Sequence, residues 1–104
     1  MKEKVLEDKY ALVTGSSKGI GAELARGLAR EGAYVAVNYK TDRDGADATC
    51  KSILDQGGRA VSIQGDVSSA AGAKNLISKV CDQFGRIDIL VNNAARTRFG
   101  PALE

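Results

Sequence analysis

Short apolar runs alternate with stretches of helical spacing along this chain. Ala11, Leu12 and Val13 form the first run, and apolar residues then recur every four positions at Ile20, Leu24 and Leu28. This change of period predicts a strand that leads into a helix with one apolar stripe. The later elements are predicted as a helix at 19–31, a strand at 33–38, a helix at 42–56, a strand at 60–64, a helix from 69 to 84 and a strand at 87–91.

Cap and stop residues separate these elements. Gly32 and the pair Gly57-Gly58 are predicted to end the first and second helices, and Gly85 to end the third, because glycine adopts the left-handed conformation that closes many helices. Ser68 is predicted as the N-cap of the third helix. Apolar spacing within that helix, at Ala73, Leu76, Ile77, Val80 and Phe84, indicates one buried face.

The alternation of strands and helices predicts the α/β class. Apolar strands about 25 residues apart favour a parallel sheet with right-handed crossovers and helices on its faces. The expected strand order is 3-2-1-4, which is the first half of a Rossmann-type, doubly wound sheet. We expect residues 1–104 to form one domain of this type without a linker or internal repeat.

Three glycines mark the junction of the first strand and first helix, in the stretch YALVTGSSKGIG at 10–21. Gly15, Gly19 and Gly21 allow positive φ, a close backbone approach to a pyrophosphate and tight packing of helix on strand. The amides and dipole of the helix N-terminus attract an anion. Glycines can also mark only a turn, but strand, spacing and helix together favour a nucleotide phosphate site.

Composition excludes several classes of function. Among 104 residues, 43% are hydrophobic and 27% charged, and the net charge of +2 is too small and dispersed for a nucleic-acid surface. No leader or membrane segment is visible, so we expect a cytoplasmic protein. Cys50 and Cys81 occur without any histidine, which predicts free thiols and no metal site.

Three motifs resemble the short-chain dehydrogenase/reductase family. Residues 14–21 fit TGxxxGxG, Gly65-Asp66-Val67 follows the third strand, and Asn92-Asn93-Ala94-Ala95 follows the fourth. The resemblance implies that Asp66 binds the adenine ring and that the asparagine motif lines the cofactor near the ribose. Ala95 departs from the family, which usually has glycine there, so its methyl group is expected to crowd the cofactor or shift the loop.

Each of these side chains also has a plainer interpretation. Asp66 fits a turn or cap residue, and Asn92 and Asn93 could do no more than bond loop backbone. The cofactor-binding residues predicted from the sequence are Gly15, Ser16, Ser17, Lys18, Gly19, Ile20, Gly21, Asn38, Tyr39, Lys40, Asp66, Val67, Asn93, Ala94 and Ala95.

The end of the second strand favours NADP(H) over NAD(H). An acidic residue there would bind the ribose 2′-hydroxyl and repel a 2′-phosphate, but the chain has Asn38-Tyr39-Lys40. Lys18 adds a cation, and in the resembled family a basic residue before the second glycine accompanies NADP(H). Either lysine could instead be only solvated, as exposed lysines commonly are.

No catalytic residue is predicted in this chain. Hydride transfer needs a proton donor beside the substrate carbonyl, which in the resembled family is the tyrosine of a YxxxK motif beyond the fourth strand. Tyr10 and Tyr34 fall in strands, and Tyr39 is followed at that spacing by Arg43 and not by lysine. We therefore expect the cofactor-binding portion of a longer, NADP(H)-dependent oxidoreductase, inactive alone. The alternatives are a non-catalytic dinucleotide-binding module and a truncated inactive fragment.

The resemblance also implies partners. Family members act on small-molecule carbonyl or alcohol substrates and usually form homo-oligomers. The runs VNYKTD at 37–42 and NNAARTR at 92–98 look most like 3-oxoacyl-acyl-carrier-protein reductases and related sugar or polyketide reductases. Arg96 and Arg98 lie where a substrate pocket would begin, although a solvated loop is the simpler explanation of these two charges. The 104 residues alone are expected to be marginally stable or to self-associate.

Overall fold

The computed structural model describes residues 4–94, which form four strands and three helices. Strands and helices alternate through this part of the chain, as the hydrophobic pattern predicts. The elements are β1 Tyr10–Val13, α1 Gly19–Arg30, β2 Tyr34–Tyr39, α2 Arg43–Asp55, β3 Arg59–Gln64, α3 Ala70–Phe84 and β4 Ile89–Val91. None of these helices is long and apolar enough to span a bilayer.

The four strands form one parallel sheet in the order β3-β2-β1-β4. Leu12 in the centre of β1 lies opposite Ala36 of β2 on one side and Leu90 of β4 on the other. The predicted strand order is therefore confirmed. The chain adds β2 and β3 on one side of β1 and then crosses over to add β4 on the other side. Open α/β sheets place their ligands at such a switch in strand order, in a crevice at the carboxyl ends of the strands.

Helices cover both faces of the sheet. One buried cluster joins β1 and β2 to α1 and α2 through residues such as Val13, Val35 and Ile53. The other joins Leu12 and Ile63 to α3. Alternate residues of β1 thus serve opposite faces, and the apolar run at 11–13 is buried throughout because both faces are covered.

The apolar stripe predicted for α1 matches its buried face only at Leu28, which packs partly buried against the core. Ile20 is 69% exposed and Leu24 is 40% exposed, whereas α1 packs on the sheet through alanines at 22, 25 and 29. A face of small residues lets the helix axis approach the sheet closely, which larger side chains would prevent. The helix itself is confirmed, but Ile20 and Leu24 of the predicted stripe lie outside its buried face.

Cap contacts correct two further boundaries. Ser69, and not Ser68, caps α3 by accepting a hydrogen bond from the N–H of Gly72 at 3.0 Å. The fourth strand begins at Ile89 because the Asp88 side chain accepts the N–H of Tyr10 at 2.8 Å, ahead of the first ladder pair. Gly85 ends α3 in the left-handed conformation with φ of 89°, as expected.

Cys50 is expected to react slowly with thiol reagents. Both cysteines are free. Burial, and then the nearby charge of Asp47, raise the pKa of the Cys50 thiol to about 11. At pH 8 only about one thiol in a thousand is then ionised, and the thiolate is the reactive form. Iodoacetamide labelling followed by peptide mass spectrometry should show the half-buried Cys81 modified well before Cys50, and equal rates would contradict this assignment.

Candidate dinucleotide-binding site

A cleft of about 650 Å³ opens at the carboxyl ends of the strands. The turn between β1 and α1 forms one wall, and residues after β2 and β4 form the others. The lining residues are Gly15, Ser17, Lys18, Gly19, Ile20, Tyr39, Lys40, Thr41, Asp42, Asn93 and Ala94. The structure thus brings most of the sequence-predicted site residues together at one place.

The turn depends on two glycines for different reasons. Gly15 has φ of 61°, in the left-handed region that residues with a Cβ rarely adopt. Gly21 has its α-carbon directly against the backbone of Gly15, so that a Cβ at position 21 would collide with the Gly15 carbonyl oxygen and lie 2.8 Å from Nδ2 of Asn93. The first turn of α1 can therefore fold back onto the loop only without a side chain there.

The amides of this turn fall into two groups. The N–H of Gly15 donates to Oδ1 of Asn38 at 3.0 Å, and the N–H of Ser16 donates to the Asn38 carbonyl at 2.9 Å. The N–H groups of residues 17–21 donate to no other residue in the described part of the chain. These free donors lie at the positive end of the α1 dipole, where a phosphate is bound most favourably.

The asparagine motif after β4 holds the turn from the other side. Asn93 donates from Nδ2 to the Gly15 carbonyl at 3.1 Å, and the Thr14 hydroxyl donates to Oδ1 of Asn92 at 3.3 Å. The N–H of Ala94 donates in turn to the Thr14 hydroxyl oxygen at 3.1 Å. Both asparagines therefore bond the loop, which agrees with their plainer interpretation, while Asn93 and Ala94 also border the cleft.

Charged residues surround the end of the cleft that follows β2. Lys40 lies 3.8 Å from the carboxylate of Asp66, and both side chains are substantially exposed. Asp66 also accepts hydrogen bonds from the Ser68 hydroxyl at 2.7 Å and the Ser68 N–H at 2.9 Å. Asp66 thus makes the turn expected of its plainer interpretation and in addition restrains a cation of the cleft.

These contacts also set the ionisation of Asp66. The two hydrogen bonds from Ser68, and then the charge of Lys40, lower the pKa of the Asp66 carboxyl below its ordinary value. The carboxylate is therefore ionised at neutral pH. Its contacts with Ser68 and Lys40 weaken only as the pH falls through the lowered pKa.

Several predicted site residues lie away from the cleft. Asn38 and Ser16 are buried and bonded to neighbouring backbone, so their side chains do not face it. Val67 packs against the α3 side of the sheet, and Ala95 lies outside the described residues, as do Arg96 and Arg98. Asn38, included among the cofactor-binding residues on sequence grounds, therefore turns its side chain into the protein and not into the cleft.

Sequence reasoning missed Thr41 and Asp42, which line the cleft. Asp42 caps α2, since its Oδ1 accepts the N–H of Gly45 at 3.0 Å. The available signal was an aspartate placed directly before a helical pattern, which is a common N-cap arrangement. Because α2 begins at the cleft edge, its cap residue becomes part of the wall.

The fold and the glycine turn define a Rossmann-type nucleotide-binding protein. The sequence model of the family described as short chain dehydrogenase matches residues 9–104. The chain belongs to this family.

Relatives and solved structures agree with that membership. The chain is 50% identical over 99 residues to an uncharacterized oxidoreductase of Methylorubrum extorquens, covering 95% of this chain and 40% of the relative. It is 45% identical to a 3-oxoacyl-acyl-carrier-protein reductase of Staphylococcus epidermidis, covering 88% and 37%. The crystal structure of a short chain dehydrogenase from Burkholderia cenocepacia in complex with NADP superposes with a TM-score of 0.79 at 45% identity, covering 86% and 36%. The chain thus spans about two fifths of the length of the relatives it matches.

Proposed function

We propose that this chain is the NADP(H)-binding portion of a short-chain oxidoreductase that transfers hydride between the cofactor and a small carbonyl or alcohol substrate. The observation that carries the proposal is the row of amides at 17–21 without a partner among the described residues, of which residues 17–20 line a cleft that also contains two lysines. The amides suit a diphosphate, and the lysines suit an additional phosphate on the adenosine ribose.

The charges around the cleft support NADP(H) over NAD(H). Lys18 and Lys40 both line it, and the half-buried Tyr39 takes the place of an acidic residue beside the ribose. The carboxylate of Asp42 is engaged in capping α2 and the carboxylate of Asp66 is held by Ser68. The solved relative from Burkholderia cenocepacia is a complex with NADP, which is consistent with this preference.

The residues of this chain bind and orient the cofactor without completing the reaction. When bound, the dinucleotide supplies a hydride donor or acceptor. Tyr10 and Tyr34 pack with Phe84 at the opposite end of the strands, with ring centroids 4.7–5.9 Å apart. Tyr39 lines the cleft beside Lys40, next to the residues assigned to the ribose phosphate. None of the three is therefore proposed as the proton donor.

Titration with NADP+ and with NAD+ tests this proposal. Isothermal calorimetry of the purified chain should show tighter binding of NADP+, by about tenfold, since a charge-assisted contact to one phosphate is worth at least that factor. The preference should shrink as salt is raised, because the lysines are exposed and screened. Equal affinities would overturn the assignment to NADP(H), and carbonyl reduction by the chain alone would overturn the claim that its proton donor is absent.

A further inference from the structure

A cluster of buried polar side chains lies directly beneath the phosphate-binding turn. Asn38 is 2% exposed, Ser16 is 0% exposed and Thr49 is 2% exposed. All three have hydrogen-bond partners within the protein. Burying polar groups in an apolar sheet is costly unless each is satisfied, so this cluster holds a defined arrangement of the backbone around it.

Asn38 connects the ends of three strands through one carboxamide. Its Oδ1 accepts the N–H of Gly15 at 3.0 Å, while Nδ2 donates to the carbonyls of Ile63 and Gly65, each at 3.2 Å. The backbone N–H of Asn38 donates to Oγ of Ser16 at 3.0 Å. The turn after β1 is thereby fixed to the end of β2 and, through the same side chain, to the end of β3.

Thr49 on α2 supports the next residues of the turn. Its hydroxyl lies 3.2 Å from the Ser16 carbonyl, 3.4 Å from the Ser17 carbonyl and 3.1 Å from the carbonyl of Gly45. A hydroxyl has one proton to donate, so these three carbonyls share it. The carbonyl side of the turn is thus held toward α2.

The hydrogen bonds to Asn38 decide which N–H groups of the turn remain for a ligand. Because Asn38 uses the N–H of Gly15 and its carbonyl uses the N–H of Ser16, the first donors available to a phosphate are those of residues 17–21. We infer that Asn38 is a positioning residue for dinucleotide binding, which orients the phosphate-binding turn from beneath without touching the ligand. The inference rests on the proposed function, since it assigns a role within that same site.

The chemistry of the position explains why an amide is suited to it. Gly15 offers an N–H donor, and the carboxyl end of β3 offers the carbonyls of Ile63 and Gly65 as acceptors. The side chain between them therefore needs both an acceptor and a donor on one short stem. Aspartate would place an oxygen against the carbonyls of Ile63 and Gly65, and leucine would leave all three groups unsatisfied. Among ordinary side chains of this length, only asparagine meets both requirements.

Binding of three ligands to the Asn38→Ala variant tests the inference. We expect the affinities for NADP+ and for NAD+ to fall by the same factor, about tenfold. Both ligands carry the diphosphate, and the variant would no longer hold the turn in position to bind it. The affinity for adenosine 2′-monophosphate, which lacks the diphosphate, should stay within about twofold. A residue that contacts the ribose directly would instead change the ratio of the NADP+ and NAD+ affinities, and a residue that only stabilises the fold would leave the affinity of the folded fraction unchanged.

A second variant and a ligand-free measurement protect the test against misfolding. Thr49→Val removes one hydroxyl beneath the same turn and should weaken both dinucleotides together by about threefold. Amide hydrogen exchange should show lost protection at Gly15 in Asn38→Ala without any ligand. The matched control is Ser62→Ala, which removes a hydrogen bond from Ser62 on β3 to Asp47 on α2 and should leave all three affinities unchanged.

The outcomes separate this inference from the proposed function. If the unmodified chain binds neither dinucleotide, the proposed function is wrong and this role falls with it. If the unmodified chain binds NADP+ while Asn38→Ala and Thr49→Val bind as tightly, the positioning role alone is wrong. A change in the NADP+ to NAD+ ratio in Asn38→Ala would also overturn it, in favour of direct ribose contact.

Discussion

The Gly21→Ala variant is expected to bind dinucleotides with an affinity about 10- to 100-fold lower than that of the unmodified chain. This factor corresponds to the roughly 1–3 kcal/mol that overpacking costs at a tightly packed position. The new methyl group would collide with the Gly15 carbonyl oxygen and lie 2.8 Å from Nδ2 of Asn93. Backbone on one side and a bonded amide on the other must then move, and the free amides of α1 move with them. Calorimetric titration with NADP+ measures the loss.

Gly27→Ala is the matched control on the same helix. A Cβ at Gly27 would meet nothing nearer than the Arg30 side chain at 3.8 Å. Alanine in a helix interior is favoured over glycine by about 0.5–1 kcal/mol, so this variant should unfold at the same or a higher temperature and bind NADP+ normally. Normal binding by Gly21→Ala would contradict the assignment of the turn as the phosphate site.

Lys18→Ala is expected to remove most of the preference for NADP+. Lys18 is exposed and lines the cleft, in extended backbone immediately before α1, and the proposed function assigns its ammonium to the phosphate on the ribose. Its loss should lower the affinity for NADP+ by about tenfold and the affinity for NAD+ by less than about twofold, because only NADP+ carries that phosphate. Parallel titrations with both cofactors give the ratio.

A lysine far from the cleft provides the control for charge alone. Lys51 lies on α2 and pairs with Asp55 at 3.0 Å, and Lys51→Ala lowers the net charge by the same amount. The NADP+ to NAD+ ratio should be unchanged in that variant. An unchanged ratio in Lys18→Ala as well would show that Lys18 is only solvated, and the assignment of the cofactor would then rest on Lys40 alone.

The sequence predicts the architecture well where a local signal and the global fold agree. The strand order follows from the spacing of the apolar runs and is confirmed by the sheet. The end of α3 at Gly85 follows from the conformational freedom of glycine. The prediction for α1 was wrong at Leu24, which is exposed, whereas Ala25 is buried. A close contact between helix and sheet favours small residues, and such a contact is a tertiary property that the period of the sequence does not contain.

The candidate site is predicted by position but not by role. Motif order placed Asn38, Asp66 and Asn93 near one edge of the sheet. Whether a side chain there points into the cleft or into the protein depends on contacts across long sequence separations, such as the bond from Asn38 to Gly65. A polar residue within an otherwise apolar strand was the one signal that Asn38 is buried, since such a residue requires partners inside the protein.

The bonds between the turn after β1 and the loop after β4 tie cofactor affinity to folding kinetics. Thr14 and Gly15 bond to Asn92 and Asn93 at a separation of 78 residues along the chain. Contacts between residues so far apart slow folding, and the phosphate cradle is complete only after β4 has docked beside β1. A ligand that binds only the completed cradle shifts the equilibrium toward docked β4 by mass action, and nascent chains become competent to bind only when β4 has emerged and paired with β1.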